Sequence, residues 1–138
     1  MKIYLTSICF LVYGIAFSQL ENEIPKTTTI ARNEINEVQK AEFLKMINDL
    51  SIKIKSGEAN LKDYEERAKL YMVLKQQREA ILDYNHLISN NPVNASYYYF
   101  RGLNYLGNND SGKACEDFKK AKALNYDFSS GELMLFCN

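Results

Sequence analysis

Shifted by 34 positions against itself, this chain repeats its own middle: Tyr64 falls on Tyr98, Arg67 on Arg101, Ala68 on Gly102 and Tyr71 on Tyr105. The echo continues with Ala80 on Ala114, Asp83 on Asp117, Tyr84 on Phe118 and Asn91 on Asn125. A fixed period in this range is the mark of a solenoid, in which each unit buries its apolar face against the next. Most of the matched positions are small or aromatic, the types that set how closely two helices approach. The repeat therefore preserves packing rather than chemistry, which favours a binding scaffold over an enzyme.

Helical periodicity supplies the elements. Leu61, Tyr64, Ala68, Tyr71 and Leu74 step by three or four behind Asn60, a good N-cap. Ala80, Ile81, Tyr84, Leu87 and Ile88 repeat that spacing until Asn90, Asn91 and Pro92, where proline disfavours α geometry in the residue before it. A third helix is expected from Asn94 to about Gly107, and a fourth from Asp110 to about Leu124.

With those positions in place, residues 61–94 and 95–128 resemble two tandem tetratricopeptide repeats, each a helix A, a turn and a helix B. The first unit carries Tyr64, Ala68, Tyr71, Ala80, Tyr84 and Pro92, and the second Tyr98, Gly102, Tyr105, Ala114, Phe118 and Ala121. Leu87, Tyr126 and Lys75 depart from the family pattern, standing where a small residue, a proline and a glycine are usual. The resemblance implies an all-α fold, an antiparallel helix-turn-helix solenoid. It also implies a concave groove lined by helices A that holds a peptide or a partner's helix. By position that groove comprises Lys62, Glu65, Lys69 and Met72 from the first unit and Ser96, Tyr99, Leu103 and Leu106 from the second. Tyr99, Leu103 and Leu106 form an apolar patch of the kind that marks interaction sites, unless the upstream helix folds over them. Family members that clamp a terminal carboxylate use a Lys, Asn and Arg cluster, which Tyr99 and Leu103 do not supply.

Both ends of the repeat region are expected to be flanked. Ile35, Val38, Phe43, Met46, Ile47, Leu50 and Ile54 trace one stripe of a long helix over residues 30–57, with Gly57 as its C-terminal stop. A heptad-like dimerisation helix is the alternative. At the other end Ser129 with Glu132 makes a capping box, and Phe128 with Leu133 a hydrophobic staple. Residues 129–138 then read as a short capping helix. Two repeats alone fall short of the roughly three that stability usually requires, so the flanks complete the core.

The first 18 residues carry a different pattern. Lys2 precedes an uncharged, mostly apolar run to Phe17, and Ala16 and Ser18 are the small residues a signal peptidase reads before Gln19. Residues 1–18 read as a cleaved secretory signal and 19–29 as a flexible leader. The run falls short of the about 20 apolar residues of a membrane span, and Cys9 sits mid-run rather than at a lipoprotein position. The short signal and a composition rich in Lys, Asn, Ile and Tyr point to a Gram-negative envelope, periplasmic or secreted.

Removing the signal leaves Cys115 and Cys137, an even pair in an exported chain and hence a disulfide candidate. If the helix holding Cys115 and the terminal helix form a hairpin turning near Tyr126, the two cysteines lie equally far from the turn. Lys plus Arg and Asp plus Glu balance at 17 each, with no basic cluster, so nucleic acid and anionic membrane surfaces are poor partners. Catalytic signals are thin. His86 is the only histidine, Glu65 and Glu66 alternate with Arg67 and Lys69 as on a solvated face, and Gly102, Gly107 and Gly112 follow no strand. No metal or cofactor site is expected. The sequons at Asn94 and Asn109 matter only in a eukaryotic secretory route. Tyr97, Tyr98 and Tyr99 leave a helix on different faces, so they form no single aromatic platform. The expected function is a non-catalytic adaptor or assembly factor for a protein or peptide partner. A thiol-active envelope protein using Cys115 and Cys137 is the alternative.

Overall fold

Asparagine and aspartate start four of the five helices in the computed structural model, which describes residues 35–128, 135 and 137. Helix α1 spans Glu37–Lys55, α2 Leu61–Val73, α3 Gln77–Asn90, α4 Ala95–Gly107 and α5 Ser111–Ala123, and no strand occurs among the described residues. Asn36 and Gln39 close a reciprocal capping box on α1, and Asn60 and Asp63 do the same on α2. Asn94 accepts from the Ser96 amide and Asp110 from the Lys113 amide. The box at Asn36 fixes the start of α1 at Glu37, later than the expected 30. Residues 30–34 and the expected box and staple at Ser129, Glu132 and Leu133 lie outside the described residues.

Four of the five helices end in one motif. The residue after each C-cap takes a left-handed conformation: Gly57 at φ 79°, Lys75 at 57°, Asn109 at 61° and Asn125 at 63°. In α2 the amides of Lys75 and Gln76 then reach back to the Met72 and Tyr71 carbonyls, and in α4 those of Asn109 and Asp110 reach Leu106 and Tyr105. This is the Schellman arrangement, which satisfies carbonyls the helix leaves open. Lys75, the departure from glycine noted above, accepts the strained left-handed geometry so that α3 can turn back on α2.

Side chains pack in two clusters that repeat the same scheme. Ala68, Tyr84 and Leu87 are fully buried between α2 and α3, joined by Tyr97 from α4. Ala114, Phe118 and Ala121 are fully buried in the second, joined by Tyr98 and Phe128. Leu87, where the family pattern prefers a small residue, is thus accommodated without exposure. Gly102 marks the closest approach: a Cβ there would stand 2.8 Å from Phe118 Cε1, so the α4 backbone lies directly on the ring.

The repeat is most explicit in its polar core. Arg67 donates from Nε to Asp83 Oδ2 at 2.9 Å, from Nη2 to Asp83 Oδ1 at 2.6 Å and from Nη1 to Ser51 Oγ at 2.9 Å. Arg101 makes the same set, with 2.7 Å to each oxygen of Asp117 and 2.7 Å from Nη1 to Asn85 Oδ1. Each guanidinium also lies between two tyrosine rings, Arg67 at 5.8 and 5.7 Å from Tyr64 and Tyr71, Arg101 at 5.7 and 5.8 Å from Tyr98 and Tyr105. Ser51 and Asn85 are themselves one period apart, so the register runs back into α1. That helix, read from sequence as a flank, is in register with α3 and α5.

From Asn36 onward the chain forms one compact unit, in which neighbouring helices pack in chain order from α1 to α5. A second polar tie fixes α1 to α2: Lys53 Nζ donates to Asp63 Oδ1 at 2.8 Å, while Asp63 Oδ2 accepts from the Asn60 amide at 2.7 Å. These bonds, the one from Lys53 foremost, hold the Asp63 carboxyl below its ordinary range.

Two outcomes follow. Arg101→Met leaves the Asp117 carboxylate buried without a partner and should destabilise the protein by about 3 kcal/mol in urea unfolding, against little change for the exposed Arg78→Met. A depressed folded-state pKa contributes stability that is present above the ordinary carboxylate range and is lost as pH falls through the lower folded value. Asp63→Asn should therefore lower stability at neutral pH and flatten its acid dependence in that window.

Candidate protein-binding face

The eight groove positions fall into two groups with different surroundings. On α2, Lys62 and Lys69 are exposed, and Glu65 is half-buried and paired with Lys69 four residues on. Met72 packs inward, its Sδ 3.5 Å from the Tyr84 hydroxyl. Burial, and after it the Glu65 carboxylate, pushes the Tyr97 phenol up. Burial does the same to the Tyr84 phenol.

On α4, Ser96 is committed to the cap: its amide and hydroxyl donate to Asn94 Oδ1 at 3.1 and 2.7 Å. Tyr99 stacks on Tyr126 with ring centres 4.3 Å apart and touches Phe100, Phe118 and Phe128 at 5.6 to 5.7 Å. Leu103 and Leu106 are half-buried against the same cluster. What covers Tyr99 is therefore the segment after α5, held there by Lys122, whose Nζ donates to the Phe128 carbonyl at 2.6 Å. Helix α1 packs on α2 instead. The patch expected at Tyr99, Leu103 and Leu106 is thus partly exposed, with Tyr99 packed against the second aromatic cluster. Of the eight, Lys62, Glu65 and Lys69 make a charged strip on α2, and Leu103 and Leu106 a half-buried apolar strip on α4.

Phe100 belongs to that face although the groove set omits it. It is half-buried, edge-on to Tyr99 and 6.0 Å from Tyr84. Its place four residues after Ser96 and three before Leu103 is the available signal, since that spacing puts all three on one helical face. Tyr97, Tyr98 and Tyr99 do separate: Tyr97 joins the α2 and α3 cluster, Tyr98 donates its hydroxyl to the Pro92 carbonyl at 3.1 Å, and Tyr99 faces Tyr126.

His86 is exposed and lies flat on Tyr64, ring centres 3.9 Å apart, with Asn90 Nδ2 3.3 Å from Nε2. Lys120, one period later, sits 5.9 Å over the Tyr98 ring. The position serves as a lid on the first tyrosine of the preceding helix, filled by histidine in one unit and lysine in the next. No group of three His, Cys, Asp or Glu that could hold a metal ion occurs among the described residues.

Cys115 on α5 is disulfide-bonded to Cys137, with Cα atoms 4.9 Å apart. The bridge closes a loop over a sequence separation of 22 that contains Tyr126 and Phe128, the rings that reach Tyr99 from beyond α5. Changing both cysteines to serine should cost about 3 kcal/mol in thermal or urea unfolding through the freed loop, and should raise Tyr99 accessibility to iodination in the still-folded protein. No family model, curated protein or solved structure matches this chain.

Proposed function

We propose that this chain is an exported, non-catalytic adaptor or assembly factor of tetratricopeptide-repeat type, working in a Gram-negative envelope after loss of residues 1–18. The observation that carries the reading is the repeated guanidinium set of Arg67 and Arg101, whose bonds to Asp83 and Asp117 and to Ser51 and Asn85 are spent on joining neighbouring helices. Helices α2 and α4 correspond to helices A, and their shared face would be the concave groove. Its occupant is a peptide or helix with acidic side chains for Lys62 and Lys69 and an apolar side chain for Leu103, Leu106 and Phe100. The mixed character suits moderate, selective binding, in which a few buried anchors supply affinity and exposed charges set orientation.

A thiol-active role is the second reading, and the Cys115–Cys137 pair is what favours it. A reduction potential below roughly −300 mV marks a structural bridge and a higher one a working thiol pair.

A photo-crosslinking amino acid at position 69, on the proposed groove, and at position 78, on α3, tests the adaptor reading in native envelope. An adduct formed from 69, absent from 78 and reduced at least tenfold by Lys62→Glu with unchanged helicity, is the expected result. Equal adducts from both positions, or none from 69, would count against groove binding.

A further inference from the structure

Counting back one period from α3 shows what α1 lacks. Asp49 stands in register with Asp83 and Asp117, each of which binds an arginine from the helix before it. Met46 and Leu50 match Ala80 and Tyr84, both fully buried against α2, and Ile52 matches His86, the lid on Tyr64. On α1 the same positions are open: Asp49 is exposed, Met46 and Leu50 are half-exposed, and Ile52 is 59 % exposed while Asp83 and Asp117 are 3 % and 5 %. Among the described residues Asp49 has no ion-pair partner.

We propose that this face of α1 is a docking site for a helix of a partner protein, one that presents an arginine flanked by aromatics at the spacing Tyr-x-x-Arg-(Ala/Gly)-x-x-Tyr. Charge selects that occupant. The arginine pairs with Asp49, the preceding aromatic lies under Ile52, and the small residue lets the backbone close on Met46 and Leu50. Each of these contacts is already made twice in the molecule, by α2 on α3 and by α4 on α5. The chain's own upstream residues match poorly in this register, because Asn33 falls where Arg67 and Arg101 lie, and α1 begins six residues earlier than its counterpart α3. The far end does not offer the same invitation. Lys119 replaces Ser51 and Asn85 as the acceptor for the next arginine, and Leu135 replaces that arginine.

The test uses the full chain and a peptide with the sequence of residues 60–76, held helical by a lactam between the positions of Lys62 and Glu66. Backbone shift changes at Asp49 and Ile52 in NMR titration are the expected result, with binding weakened roughly tenfold by Asp49→Lys or by Arg67→Glu in the peptide. Combining the two changes should restore the lost affinity. Absence of shifts in α1, whether because a second copy or the chain's own upstream residues hold the face, overturns the proposal, as does a charge swap that restores nothing. Groove binding is untouched by either variant, so the two surfaces succeed or fail separately.

Discussion

Two half-buried arginines, each paired with a buried aspartate, organise this fold. A guanidinium has a fixed planar fork, so when Nε and Nη2 of Arg67 meet both oxygens of Asp83 the angle between α2 and α3 is set, and the remaining Nη1 can point in one direction. That direction is the preceding helix, where Ser51 waits for Arg67 and Asn85 for Arg101. One side chain therefore closes a hairpin and docks it on its neighbour. Lysine could do one of these tasks as a point charge but not both with defined geometry. Because a buried charge without its partner is costly, the same groups that hold the helices together also penalise any other arrangement of them.

Much of this could be read in the sequence, for identifiable reasons. The period appeared in residues whose role is steric, Ala68 and Gly102, Ala80 and Ala114, Tyr84 and Phe118, and these turn out to be where helices touch. Asn60, Asn94 and Asp110 announced their helices because an N-cap is a local hydrogen bond that depends on little else. The membership of α1 in the register was less visible. Its signals, Asp49 and Ser51, are small polar residues in an otherwise generic amphipathic stretch, and the aromatic and alanine landmarks of the later helices are absent there. At Tyr99 helical position leaves an open patch and cover by the upstream helix as alternatives, and cannot tell that a segment some 27 residues further on, bearing Tyr126, comes back over it. Long-range return of a chain is the part that periodicity does not encode.

The fold keeps its helix-joining groups apart from its surface. Asp83 and Asp117 lie buried under their arginines, Tyr64, Tyr71, Tyr98 and Tyr105 flank those arginines, and most other charged side chains stand at the surface. Polar Lys62 and Lys69, half-buried Leu103 and Phe100, and open Asp49 with Ile52 are the surfaces that result. On the proposed reading, a partner would draw its binding energy from these surfaces and not from reorganising the core, since the close approach of Gly102 to Phe118 leaves no slack there.

Native-state hydrogen exchange in rising urea asks directly whether α1 is a structural member of the repeat, as the Arg67–Ser51 bond implies. If Arg67 ties α1 into the stack, amides from Ile47 to Ile54 will merge with those of α2 to α5 into one opening reaction at the global unfolding free energy. Exchange of that stretch through its own opening, well below the global value and insensitive to urea, would contradict the account.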